Sequence, residues 1–388
     1  MKKRYLPLVL IAALTLAACG KGAESSEAKT EPAMEVTVDD SISNEDSEAV
    51  PASPETPSEE DEKEEVIGYE PGLNVVDGRY VFNPHVFSKR DTEVHGVDKK
   101  EAMFNLCDAL IKGEDTFEAD NEDAYGWAIG GRFINYYFPF ASNLVSDGRD
   151  EYGTNGTEEC FENGVGKIYY NTSKEELQSM EKQFAKDIED VLNEYVKPEY
   201  SDFEKALALY IYMTRNYIYD YDALDESGNA RLDYEAGTYK CFTTKKGICM
   251  EFGGVYSYLL LQCGVEADVI SALEGGNPNH QWTFVNIDGK DYHVDPTYGL
   301  STADFYDGNI PLEYFLMSDQ DRDNAGFNSE YFYINGLGDE SRAKTSFYAT
   351  NNDYSELHNG YFVDMDTDRN VVIYHDYFED VDKEFKYE

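Results

Sequence analysis

Apolar residues recur at helical spacing in four stretches of the chain. Leu177, Met180, Phe184, Ile188, Val191 and Tyr195 form one stripe behind Ser173-x-x-Glu176, which has capping-box spacing. Ser201-x-x-Glu204 opens a second helix through Arg215, apolar around much of its surface and therefore expected to be buried. A third starts at Cys249 and carries Phe252, Val255, Tyr256, Leu259 and Cys263, with Gly264 as its stop. Asp98-x-x-Glu101 has the spacing to cap an earlier one, with Ala102, Leu106 and Leu110 on one face and Gly113 at its end.

Alternation of period two marks the strands. His280 to Ile287 and Lys290 to Asp295 flank Asp288-Gly289, the dipeptide that best suits a type I′ hairpin turn with positive φ at both central residues. With that turn, Ile287 faces Lys290, and the register carries His280 and Asp295 to one face as diagonal neighbours, roughly 7–8 Å apart. Asp77-Gly78 predicts a second hairpin, Gly166 to Tyr170 a short strand, Tyr331 to Ile334 an alternating segment, and Tyr361–Val363 with Val371–Tyr374 a final hairpin. Residues 117 to 160 mix glycine and aromatics without a readable order. Gly253-Gly254 costs its helix about 1 kcal/mol per glycine, which suits a helix closely approached by a strand.

Composition changes the picture at the N-terminus. Met1-Lys2-Lys3-Arg4 and an apolar run from Leu6 to Leu16 read as an export signal, too short for a stable span. Leu16-Ala17-Ala18-Cys19 resembles the bacterial lipobox, which implies lipidation of Cys19; an uncleaved anchor would also hold the chain at the membrane. Residues 21 to 66 hold sixteen Asp/Glu against three Lys and almost no aromatics, so they cannot bury enough apolar surface to fold and predict a charged tether. A partner-binding acidic tail is the alternative. Of the formal charge of −46, about −36 lies beyond residue 66. That argues against nucleic acid, whose phosphates need Lys and Arg; the charge reads first as solubility at a crowded cell surface, and it would also steer cationic peptides or lysine-bearing substrates inward.

Candidate chemistry concentrates between Gly247 and Pro296. A thiol at a helix N-terminus meets unpaired N–H groups and the positive end of the dipole, which favour thiolate. Cys249 occupies that position, its own N–H is a natural oxyanion donor, and the hairpin supplies a His–Asp pair to act as base and orienter. His293 is the rival base, but it lies opposite Phe284, deeper in the hairpin. Cys263 reads as a buried hydrophobe, and Trp282 as core or a wall beside the thiol. Asp364-x-Asp366-x-Asp368-x-Asn370 has the oxygens of half a calcium loop, but Arg369 and His375 stand where glycine and glutamate are needed, so a solvated acidic turn is expected. Export would permit disulfides, and a Cys241–Cys249 bridge would silence the thiol, but spacing assigns no pairing.

Gly247-Ile248-Cys249-Met250-Glu251-Phe252, then His280-x-Trp282, then Val294-Asp295-Pro296-Thr297 resemble the three blocks of the transglutaminase-like superfamily, and Tyr217-Ile218-Tyr219-Asp220 resembles the segment that precedes them there. The similarity covers roughly residues 201 to 300, with Gln281 and Thr283 departing from the usual small residue and Asn. It implies a papain-like α+β core, its cysteine helix packed on an antiparallel sheet, with Cys249 as nucleophile, His280 as base and Asp295 as orienter. It implies thiol acyl transfer with no cofactor and no metal, on a protein or peptide substrate, ending in hydrolysis or cross-linking. The competing reading is a surface binding module that keeps the fold without turnover. The expected organisation is a lipoprotein signal peptide at 1–19, a linker at 20–66, an α+β subdomain at 67–198, the catalytic core at 199–300 and a β-rich extension at 301–388. The expected location is outside the cytoplasm, lipid-anchored to the bacterial cell membrane.

Overall fold

The computed structural model describes residues 74–148, 160–226, 230–231, 233–272, 280–300, 307–334 and 348–387. The expected signal segment, Cys19, the expected acidic linker and residues 273–279 before His280 lie outside the described residues. Among the described residues, no helix is long and apolar enough to cross a membrane.

Both Asp-Gly turns form as their chemistry requires. Asp288 and Gly289 have φ of 51° and 81°, Asp77 and Gly78 of 51° and 73°. The first turn sets the pairing of Gln281–Ile287 with Lys290–Val294, Ile287 opposite Lys290 and Phe284 opposite His293. Ala267–Ser271 pairs antiparallel with the other side of Gln281–Ile287, and Tyr333–Ile334 adds the fourth strand. That last strand comes from the region expected to be a separate extension, so residue 300 does not divide the sheet.

The cysteine helix, Cys249–Gln262, lies across this sheet, and every residue in it except Met250 is buried. Gly253 is where the sheet comes close: a Cβ there would stand 3.4 Å from the backbone of Trp282. Gly254 faces the other way, where a Cβ would meet Thr238 Oγ1 at 2.4 Å, so each glycine admits a different neighbour. Helix Asp202–Asn216 has the full capping box expected at Ser201 and Glu204, and Ser173 caps Lys174–Tyr195.

The upstream segment shares its core with the catalytic region. Phe184, on the helix assigned to the upstream subdomain, meets Phe242 and Tyr258 at ring separations of 5.4 and 5.7 Å. Asn74 and Asn83 bond the Gln262 end of the cysteine helix, and Arg90 pairs with Asp268 and Asp291 of the sheet.

Three local expectations are corrected. Helix Val97–Lys112 is capped by Gly96 instead of Asp98, because a helix missed in the sequence, Lys89–His95, ends at that same glycine. Gly166 to Tyr170 is two strands: Val165–Lys167 joins Thr116–Glu118 and Phe161–Glu162, while Tyr169–Tyr170 pairs with Val145–Ser146. The final hairpin is a three-stranded meander, Gly360–Asp366, Val371–Asp376 and Val381–Lys386. Asp364 and Asp366 lie within its first strand, and Arg369 engages Asp366 and Glu384.

Candidate active site

The fold brings Cys249, His280 and Asp295 together from three chain positions, and all three are buried. Cys249 is the first residue of its helix; the first intrahelical bonds run from the Glu251 and Phe252 amides to Ile248 O. The Cys249 amide precedes them, so it sits where helices leave N–H groups for other partners. Glu251, three residues beyond Ile248, fixes this entry. Its carboxylate accepts from Ile248 N at 2.9 Å, from Gly237 N at 2.9 Å and from the Tyr234 hydroxyl.

His280 Nε2 meets Asp295 Oδ2 at 2.7 Å. Its Nδ1 is buried and finds no hydrogen-bond partner among the described residues, and the Cys249 thiol is among the groups that favour the charged ring. Burial works against an imidazolium, but the Asp295 charge and hydrogen bond, followed by Cys249, outweigh it and raise the pKa to about 9. The ring stacks on Tyr298 at 4.7 Å, with Trp282 and Phe327 at 5.5 and 5.6 Å, so its edges face selected partners while its faces are apolar.

Asp295 is fully committed. Oδ1 accepts from the amides of Thr297 and Tyr298 at 3.1 and 3.3 Å, and Oδ2 accepts from His280 and lies 3.2 Å from Arg322 Nη1. Burial would raise its pKa, but the charge of His280, its hydrogen bond and Arg322 hold it below the ordinary carboxylate value.

The rival histidine takes another position. His293 Nδ1 accepts from the Trp282 indole N–H at 3.0 Å, and its Nε2 meets Asp319 Oδ1 at 2.8 Å. This second His–Asp pair orients the tryptophan that packs beside His280. Cys263 is buried and bonds Leu260 O, and burial pushes its thiol up to about 12. Cys241 and Cys249 are separate thiols with no bridge between them.

The sequence assigns no role to two further residues around these side chains. Tyr219 belongs to a two-residue strand, Ile218–Tyr219, paired parallel with Lys246–Gly247 just before the cysteine. Its hydroxyl is buried without a hydrogen-bond partner among the described residues, and Cys249 is the charge that acts on it most strongly. Arg322 comes from a short helix, Asp319–Asn324, beyond the motif blocks. Tyr219 falls in Tyr217-Ile218-Tyr219-Asp220, the lead-in to the cysteine block, whereas the segment of Arg322 has the local pattern of ordinary structure. Among the described residues, no group of three or more His, Cys, Asp or Glu could hold a metal ion.

One comparison with known proteins covers this core. The model of the transglutaminase-like superfamily matches residues 189–296. Comparison with curated proteins gave no match. Among solved structures, a protein from Cytophaga hutchinsonii provisionally described as a cysteine protease is 18% identical, with a TM-score of 0.20, over 28% of this chain and 32% of its own. Another, described as a TGase, is 21% identical, with a TM-score of 0.27, over 33% and 34%. The chain therefore spans about a third of each of those proteins. From residue 189 to 296, this chain carries a transglutaminase-like domain in an α+β fold.

Proposed function

We propose that the protein is a cysteine-dependent acyl transferase whose main outcome is hydrolysis of a protein or peptide amide. The observation that carries this is the buried line from the Cys249 thiol through His280 to Asp295, with the thiol at a helix N-terminus. In this reading His280 Nδ1 takes the thiol proton and the thiolate sulfur attacks the amide carbonyl carbon. The Cys249 amide and the Tyr219 hydroxyl donate to the oxyanion. The imidazolium returns its proton to the leaving nitrogen as the C–N bond breaks, leaving a thioester. Water then attacks, His280 takes its proton, and the C–S bond breaks to release acid and thiol. A lysine amine in place of water would give a cross-link through the same acyl-enzyme; water, always at hand, favours hydrolysis.

The charge of about −36 beyond residue 66 supports a cationic substrate segment. The N-terminal pattern supports action at a bacterial cell surface, with lipid on Cys19 and the acidic linker as tether. Site-resolved alkylation tests the chemistry. Limiting iodoacetamide near pH 6 should label Cys249 far faster than Cys107 or Cys263, and His280→Ala should abolish that advantage. Equal labelling of an accessible Cys249 would instead favour a binding module without turnover.

A further inference from the structure

Arg322 is completely buried, and Asp295 is its only ion-pair partner among the described residues, at 3.2 Å. The acidic neighbours on its own helix are otherwise engaged. Asp319 bonds His293, Asp321 bonds the amide and hydroxyl of Ser318, and Asp323 bonds the amide and hydroxyl of Ser329. The guanidinium lies between Trp282 and Phe327, its carbon 4.1 and 4.3 Å from the ring centroids, while Nε and Nη2 find no acceptor among the described residues. Burying an arginine with unsatisfied N–H groups is costly, and the one charge it meets is the carboxylate that bonds His280.

We propose that Arg322 is a positioning residue that keeps Asp295 ionised in both protonation states of His280 and thereby sets the pH range in which the imidazole exchanges a proton with Cys249. This rests on the acyl-transfer reading of the site. While His280 is an imidazolium, Asp295 has a counter-charge without help. Once His280 gives up its proton, a carboxylate buried without Arg322 would be unpaired, so the His–Asp pair would hold the proton more tightly. Arg322 removes that penalty, and its positive charge also favours thiolate over thiol.

The prediction is directional: loss of the charge moves both limbs of the Cys249 reactivity profile to higher pH. Among the described residues, other groups around the imidazole are Cys249, Asp295, Tyr298 and, through the thiol, Tyr219; His293 and Asp319 lie behind Trp282. Burial raises both tyrosines above the ordinary tyrosine range, so neither ionises across the neutral region.

The test is the pH dependence of Cys249 alkylation by iodoacetamide in wild type, Arg322→Met and Arg322→Lys. Arg322→Met should shift both limbs upward by about 1–2 pH units, as expected for a unit charge about 6–10 Å from the exchanging proton at an effective dielectric near 20. Arg322→Lys should restore most of the wild-type profile. A uniform drop in rate with unmoved limbs would mean a structural role only and would overturn the proposal. No preferential labelling in wild type would instead sink the acyl-transfer reading itself. If Arg322→Met does not fold, Arg322→Gln, which keeps a donor to Asp295 but no charge, takes its place: both limbs must again move upward, and unmoved limbs overturn the proposal.

Discussion

Replacing His280 by Gln removes a group whose proton is held by the fold, and the consequence for stability can be worked out with its sign. The native pKa is raised from 6.5 to about 9. Burial opposes that rise, and Asp295 supplies most of what overcomes it, by charge and by hydrogen bond. A raised histidine pKa stabilises the fold fully below pH 6.5, and this contribution disappears as pH rises from 6.5 through about 9. At 1.36 kcal/mol per unit, the contribution at stake is about 3 kcal/mol. In the variant, Asp295 still has Arg322 at 3.2 Å, so the carboxylate should not titrate in this window. Urea unfolding is measured near pH 6 and near pH 10 with and without the His280→Gln substitution, both proteins carrying Cys249→Ser so that the thiol does not titrate. The stability advantage of the protein that keeps His280 should shrink by about 2–3 kcal/mol between those pH values. A gap independent of pH would refute the reasoning, because it would mean that the His280–Asp295 contact does not bind the proton preferentially in the native state.

Three further expectations concern other parts of the molecule. Tyr219→Phe should leave Cys249 alkylation unchanged while slowing its acylation by p-nitrophenyl acetate about 10²-fold, the usual effect of losing one oxyanion donor; equal acylation rates would remove Tyr219 from the site. Gly254→Ala should destabilise by about 1–3 kcal/mol, since its Cβ would meet Thr238 Oγ1 at 2.4 Å, and Thr238→Ala should relieve most of that cost in the double variant, as read by urea unfolding. Burial, then the Asp268 charge, raises Glu266 from 4.5 to about 7, so the fold loses stability as pH climbs through that window. Glu266→Gln should therefore gain about 1–3 kcal/mol on wild type between pH 4.5 and pH 8, and a constant difference in thermal or urea unfolding would contradict it.

Much of the candidate site was legible because its geometry is local. Asp288-Gly289 specifies a turn with two positive φ values, and the two-residue side-chain period then carries a definite face outward along both strands. Ser173 and Ser201 were readable for the same reason, since a cap and the amide that donates to it are three residues apart. Reading failed where one signal had two readings. Asp98-x-x-Glu101 has capping-box spacing, yet Gly96 ends one helix and starts the next, which no pairwise spacing reveals. Gly166 to Tyr170 alternates like one strand, but its two halves pair in different sheets, and Gly166 must pass the ring of Tyr125, where a Cβ would come within 2.0 Å.

The sequence by itself determined the helix and strand carrying the thiol, the imidazole and the carboxylate, together with the register that aligns the last two, because turns, caps and periodicity act over a few residues. Tertiary structure alone decided what surrounds them. Arg322 reaches Asp295 across 27 positions of chain, Tyr219 reaches the thiol through a parallel pairing, and Tyr333–Ile334 closes the sheet from beyond the motif blocks. Such contacts depend on which distant surfaces exclude water together, and burial is what gives an arginine on a carboxylate or a tyrosine hydroxyl beside a thiol its energetic weight.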